Sequence, residues 1–79
     1  MSTQVRMPNL GAEATEARVL SWLCRVGDRV SQGQAMAEIE TDKANVDIEA
    51  PVTGVLSTVL VSAGEIATVG TVLAVIEDA

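Results

Sequence analysis

The sequence predicts an all-β fold. Three observations carry this reading. Apolar residues alternate with polar ones, or run briefly, without the 3.6-residue period of a helix. Turn residues recur about every 6–12 residues. The chain also repeats itself after a shift of 37 residues: Leu23 falls on Leu60, Gly27 on Gly64, Gly33 on Gly70, Ala37 on Ala74, Ile39 on Ile76 and Glu40 on Glu77. Two copies of a strand-turn-turn-strand unit, each too small to bury its own face, imply a pseudo-twofold barrel or sandwich.

Taken in order, residues 3–7 alternate and read as a first strand, which Pro8 ends. Residues 9–15 form a loop containing Gly11. Residues 16–25 read as a longer strand with both faces partly covered, because Val19, Leu20, Trp22, Leu23 and Cys24 leave few polar positions. Trp22 is expected to pack against the core, and Cys24 to be a small buried hydrophobe. Gly27-Asp28 turns, Val30 touches the core, and residues 31–34 turn again. Residues 35–40 and 44–49 are the two arms of a hairpin, and residues 51–54 a loop. Residues 55–61 form a strand, 63–65 a turn, Ile66 a core contact, 69–71 a turn and 72–77 the last strand. In both copies the Gly-x5-Gly spacing places glycines at turns, where positive φ is expected.

With one Trp and neither Phe nor Tyr among 79 residues, the core must be aliphatic. The length supports one small domain, residues 1–79, with no room for a deep cleft. A net charge of −6 argues against nucleic acid or anionic lipid as partner. No stretch approaches the roughly 18 apolar residues of a membrane-spanning helix. Without histidine, and with Cys24 as the only cysteine, neither a zinc site nor a Ser-His or Cys-His pair is available. An enzyme acting alone is not expected from this inventory.

The hairpin is the unusual element. Val46 and Ile48 alternate with Asn45, Asp47 and Glu49, the pattern of a half-buried strand. Only Asp42 and Lys43 are left to turn. Two-residue loops favour Asn-Gly or Asp-Gly, because primed turns need positive φ, so Lys43 is a poor choice on backbone grounds. It is also the only lysine in the chain, set in a stretch, 38–49, that holds five of the eleven acids. A primary amine held at a turn in an acidic field is either a solvated surface lysine or a modification site.

Glu40-Thr41-Asp42-Lys43-Ala44 resembles the lipoylation motif of lipoyl domains, which belong to the acyltransferase components of 2-oxo acid dehydrogenase complexes. Met7-Pro8-x-Leu10-Gly11 resembles the opening of that family, Trp22-Leu23-x-x-Val26-Gly27-Asp28-x-Val30 its second-strand block, and Ala50-Pro51-Val52-x-Gly54 its exit from the hairpin. The chain departs from it at Ala12-Glu13-Ala14, where many members carry more charge or a Ser-Pro pair, and at Ala17, where glycine is common. The resemblance implies a flattened barrel or sandwich of two antiparallel four-stranded sheets, a barrel-sandwich hybrid with lysine at a hairpin tip. It implies covalent lipoate on Lys43, with Asp42 and Ala44 read by a lipoate ligase or lipoyl transferase and Glu40 and Thr41 contributing.

The implied partners are the thiamine-dependent 2-oxo acid decarboxylase, the acyltransferase domain and dihydrolipoamide dehydrogenase, served by an isolated domain that is monomeric and not itself catalytic. The implied location is the cytoplasm of a bacterium, or the mitochondrial matrix in a eukaryote. A biotin carboxyl carrier domain shares the fold, but its tip reads Met-Lys-Met. A free-standing lipoyl carrier protein and a non-catalytic barrel-sandwich module of the kind found in transport adaptors are further alternatives. Both an excised domain and a complete small protein are compatible with the 79 residues.

Overall fold

The computed structural model describes residues 1–9, 15–41 and 44–78. Leu10, Gly11 and the departure at Ala12-Glu13-Ala14, together with Asp42, Lys43 and Ala79, lie outside the described residues. Among the described residues eight strands follow one another: β1 Ser2–Arg6, β2 Glu16–Trp22, β3 Arg29–Val30, β4 Ala35–Glu40, β5 Asn45–Glu49, β6 Gly54–Val59, β7 Ile66–Thr68 and β8 Val72–Asp78. They form two four-stranded sheets, in the orders β1-β8-β6-β3 and β5-β4-β2-β7, with every pairing antiparallel. Each sheet keeps two edges, so the molecule is a sandwich rather than a closed barrel.

The 37-residue repeat is a physical symmetry. β2, β3 and β4 correspond to β6, β7 and β8. The pairing of β2 with β4 is matched by β6 with β8, and that of β2 with β7 by β6 with β3. Turn hydrogen bonds repeat in the same way. Gly27 N–H donates to Leu56 O at 2.8 Å, and Gly64 N–H to Val19 O at 2.7 Å. All four turn glycines, Gly27, Gly33, Gly64 and Gly70, have positive φ, as the spacing predicts.

Each half thus hands a short strand to the other sheet, and neither half buries its apolar face alone. The shared core includes Val19, Met36, Ile39, Leu56, Leu73 and Ile76, all fully buried. Each large aliphatic side chain removed from water contributes about 1.5–3 kcal/mol.

Bulges explain where simple alternation fails. The register of β4 with β5 shifts at Met36, so that Met36 and Ala37, adjacent in sequence, are both buried. The equivalent shift at Leu73 buries Leu73 and Ala74. A third irregularity at Leu20 corrects the long-strand expectation for residues 16–25. Past it the inward face changes: Cys24 is buried, Leu23 is 56% exposed, and the strand ends at Trp22. Trp22 packs against the core and donates its indole N–H to Val61 O at 2.9 Å. Ile66 is also corrected. It faces out at 52% exposure, because alternation in a three-residue strand gives the inward position to Ala67, opposite Ala17.

Candidate functional site

β4 and β5 pair through Glu40↔Asn45, Ile39↔Val46, Glu38↔Asp47 and Ala37↔Ile48. Ile39 and Ile48 anchor the hairpin in the core, while Val46 is 41% exposed. Glu38 and Asp47 stand directly opposite each other, a like-charge arrangement that costs a few tenths of a kcal/mol or more. On the other side of β4, Arg18 of β2 sits opposite Glu40 and donates Nη1 to Gly64 O at 2.8 Å.

Beyond the last ladder pair the two arms close on each other. Thr41 N–H donates to Ala44 O at 2.9 Å, and the Thr41 hydroxyl donates to the same oxygen at 2.7 Å. Ala44 N–H in turn donates to Thr41 Oγ1 at 3.2 Å. Thr41 is half-buried and Ala44 exposed. Asp42 and Lys43, the two residues this closure leaves between its arms, lie outside the described residues. Of the five expected site residues, the structure therefore brings together Glu40, Thr41 and Ala44.

Residues that sequence reasoning did not select also reach the hairpin. An open groove of about 460 Å³ is lined by Glu16, Ala17, Arg18, Glu40, Thr41 and Ile66. Arg18 and Ile66 lie far from Glu40 in sequence, and only the β7-β2-β4 pairing unites them. The three-residue spacing from Thr41 to Ala44 was the available signal for the hydroxyl closure, since threonine bonds readily to nearby backbone.

The opposite end of the molecule mirrors this one. β1 pairs with β8 as β5 pairs with β4, and Asp78 N–H donates to Met1 O at 2.8 Å, in the place of Thr41 and Ala44. Gly54 lies opposite Asp78. From there β6 runs away from the termini, and the following chain places Ile66 opposite Arg18, itself opposite Glu40. The two closures are therefore at opposite ends of a molecule 35 Å long. β1 pairs with β8 along its length, and Met1 is bonded to Asp78, so the two ends of the described chain meet there.

Cys24 is buried beside this framework, and its Sγ–H points to Met36 O at 3.8 Å. Burial, and secondarily the Asp28 carboxylate, push its thiol above the ordinary 9.0. Among the described residues no cluster of three metal-ligating side chains forms. The arrangement offers an acidic hairpin closed between Thr41 and Ala44, and among the described residues no acid-base or nucleophilic pair is assembled.

Comparison with known proteins agrees with the sequence motifs. The profile of a family described as "Biotin-requiring enzyme" matches residues 3–76. The chain is 40% identical over 75 residues to the dihydrolipoyllysine-residue succinyltransferase component of the 2-oxoglutarate dehydrogenase complex of Staphylococcus saprophyticus, covering 95% of this chain and 18% of that protein. It is 42% identical over 80 residues to the dihydrolipoyllysine-residue acetyltransferase component of the pyruvate dehydrogenase complex of Zymomonas mobilis, covering 100% of this chain and 18% of that one. The chain thus spans less than a fifth of either relative. The fold matches the solution structure of the lipoyl domain of the 2-oxoglutarate dehydrogenase complex from Azotobacter vinelandii, with a TM-score of 0.73, 20% identity, and coverage of 95% and 99% of the two chains.

Proposed function

The chain belongs to the biotin- and lipoyl-attachment family and is a lipoyl carrier domain, and we propose that Lys43 is the residue that carries its lipoate. The observation behind this assignment is the closure of the hairpin at Thr41 and Ala44, which leaves two residues between its arms, one of them the only lysine. The residues present fit the group. A single primary amine side chain is available, it is joined to the domain beyond the last ladder pair, and Asp42 and Ala44 flank it as in the lipoylation motif. The Met-Lys-Met tip of biotin carriers is absent.

Lipoate, when attached, supplies a dithiolane that accepts an acyl group and a pair of electrons. The chain's own part is to hold the attachment point. A lysine amine with an ordinary pKa of about 10.4 is protonated near neutrality, so acylation needs a ligase or transferase to take its proton. Asp42 and Ala44 are the residues this enzyme reads, and Glu40 and Thr41 contribute to the hairpin that offers them. The acidic arms, with Glu38, Asp47 and Glu49, keep the domain soluble and favour encounter with basic surfaces.

The domain works as a monomer and is not itself catalytic. It exchanges acyl groups and electrons among a thiamine-dependent 2-oxo acid decarboxylase, an acyltransferase domain and dihydrolipoamide dehydrogenase, in a bacterial cytoplasm or a mitochondrial matrix. Incubation with lipoate ligase, ATP and lipoate, followed by peptide mapping, is expected to place one lipoyl adduct on Lys43. An adduct elsewhere, or none on the folded domain, would refute the assignment. Biotin ligase is expected to leave the chain unmodified.

A further inference from the structure

Asp42-Lys43 is a poor sequence for a tight hairpin loop, yet this hairpin closes within two residues. The structure supplies a reason. A two-residue loop is commonly shut by a pair of backbone hydrogen bonds between its flanking residues. Here one is the bond from Thr41 N–H to Ala44 O, while Ala44 N–H goes to the Thr41 side chain at 3.2 Å. The same hydroxyl donates its proton to Ala44 O at 2.7 Å. Thr41 thus bonds Ala44 through both its backbone and its side chain.

The symmetry-related end of the molecule provides an internal contrast. Asp78 N–H makes the matching backbone bond to Met1 O, but the Asp78 carboxylate turns to Thr3, accepting from Thr3 Oγ1 at 3.0 Å. The hydroxyl closure therefore belongs to the lysine end and is not a consequence of the strand pairing. Thr41 also lines the groove with Glu40, Arg18 and Ile66, and its β-branched side chain has little χ1 freedom.

We propose that Thr41 is a positioning residue: its hydroxyl, by clamping Ala44, fixes the two arms that flank Asp42-Lys43 when the modifying enzyme acts. The inference rests on Lys43 being the lipoyl site, but the clamp can be tested separately. Three proteins serve: wild type, Thr41→Ser and Thr41→Val. Valine keeps the shape and removes both side-chain bonds; serine keeps the hydroxyl. Two quantities are read: the exchange rate of the Ala44 amide with water, by NMR, and kcat/KM for lipoylation at Lys43.

In Thr41→Val the Ala44 amide is expected to exchange about tenfold faster and lipoylation to slow by about tenfold, the scale of one lost hydrogen bond. The thermal midpoint should move by no more than several degrees, and Thr41→Ser should restore both rates. Unchanged lipoylation of Thr41→Val overturns the proposal. So does slowed lipoylation with an unchanged Ala44 amide, which would make Thr41 a direct contact of the ligase. If the wild type itself is not modified at Lys43, the lipoyl assignment falls, and amide exchange alone then decides whether the clamp exists.

Discussion

Lys43→Gln removes the only lysine amine, and the lipoyl adduct is expected to be lost completely in intact-mass analysis. Replacing a side chain that packs against nothing changes stability by about 0.5 kcal/mol or less, which is a thermal-midpoint shift of roughly 4 °C at most for a domain of this size. A larger fall would give Lys43 a packing role. Cys24 is the converse, a thiol that packs into the core. Its thiol is raised by burial and by Asp28, so alkylation by iodoacetamide near neutral pH should be slow in the native protein and fast in denaturant. The sign of the linkage follows. The folded state holds the thiol proton more tightly than the unfolded chain, so the contribution is complete below the ordinary 9.0 and is lost as pH rises through the raised folded value. Comparing alkaline denaturation of the wild type with that of Cys24→Ala measures it.

At the scale of elements, two kinds of glycine hold the strands in place, and they fail for different reasons. Gly27 has φ +98° with nothing within 4 Å of where a Cβ would sit. Gly27→Ala should therefore cost only its backbone strain, about 1 kcal/mol. Gly54 is crowded: a Cβ there would lie 2.2 Å from Glu77 O and 2.7 Å from Ile76 Cγ2, both on the neighbouring strand β8. Gly54→Ala must push β6 from β8 and should cost about 2–3 kcal/mol, lowering the midpoint by roughly 10–20 °C. The symmetry mate of Gly54 is Ala17, which pairs with Ala67 where Gly54 pairs with Val30. The two sites divide side-chain volume differently across equivalent strand pairs, which accounts for alanine at a position where glycine is common. Thermal melts of the two variants separate strain from collision.

For the whole molecule, the pseudo-twofold relation places the lysine hairpin and the meeting point of the termini at opposite ends. Two residues bridge Thr41 to Ala44, and the bond from Asp78 to Met1 has the same geometry. A chain in which Ala79 and one added residue join Asp78 to Met1, opened instead between Thr53 and Gly54, should fold with the same sheets. Its lipoylation by ligase should equal that of the parent, because the cut lies beside the termini and far from Thr41 and Ala44. Loss of cooperative unfolding in that permutant would show that the order of the strands in the chain matters as much as their pairing.

Much of this protein was legible in the sequence because its information is local or periodic. Alternation and turn spacing gave the all-β class. The 37-residue shift, with glycines at matching turns, implied the symmetry that β1 and β5 complete. Apolar Met36, Ala37 and Ile39 on one side, and the alternation through Val46 and Ile48 on the other, marked the two arms of the hairpin. What escaped was whatever depends on a register shift or on distant partners. Bulges at Leu20 and Met36 reverse the inward face, so simple alternation misplaced Leu23 and the end of β2. Ile66 looked like a core residue, yet the short strand β7 turns it outward and uses Ala67 against Ala17. The pairing of Arg18 with Glu40, the groove beside them, and the grip of Thr41 on Ala44 were decided by tertiary structure, because each requires atoms whose meeting no period along the chain encodes.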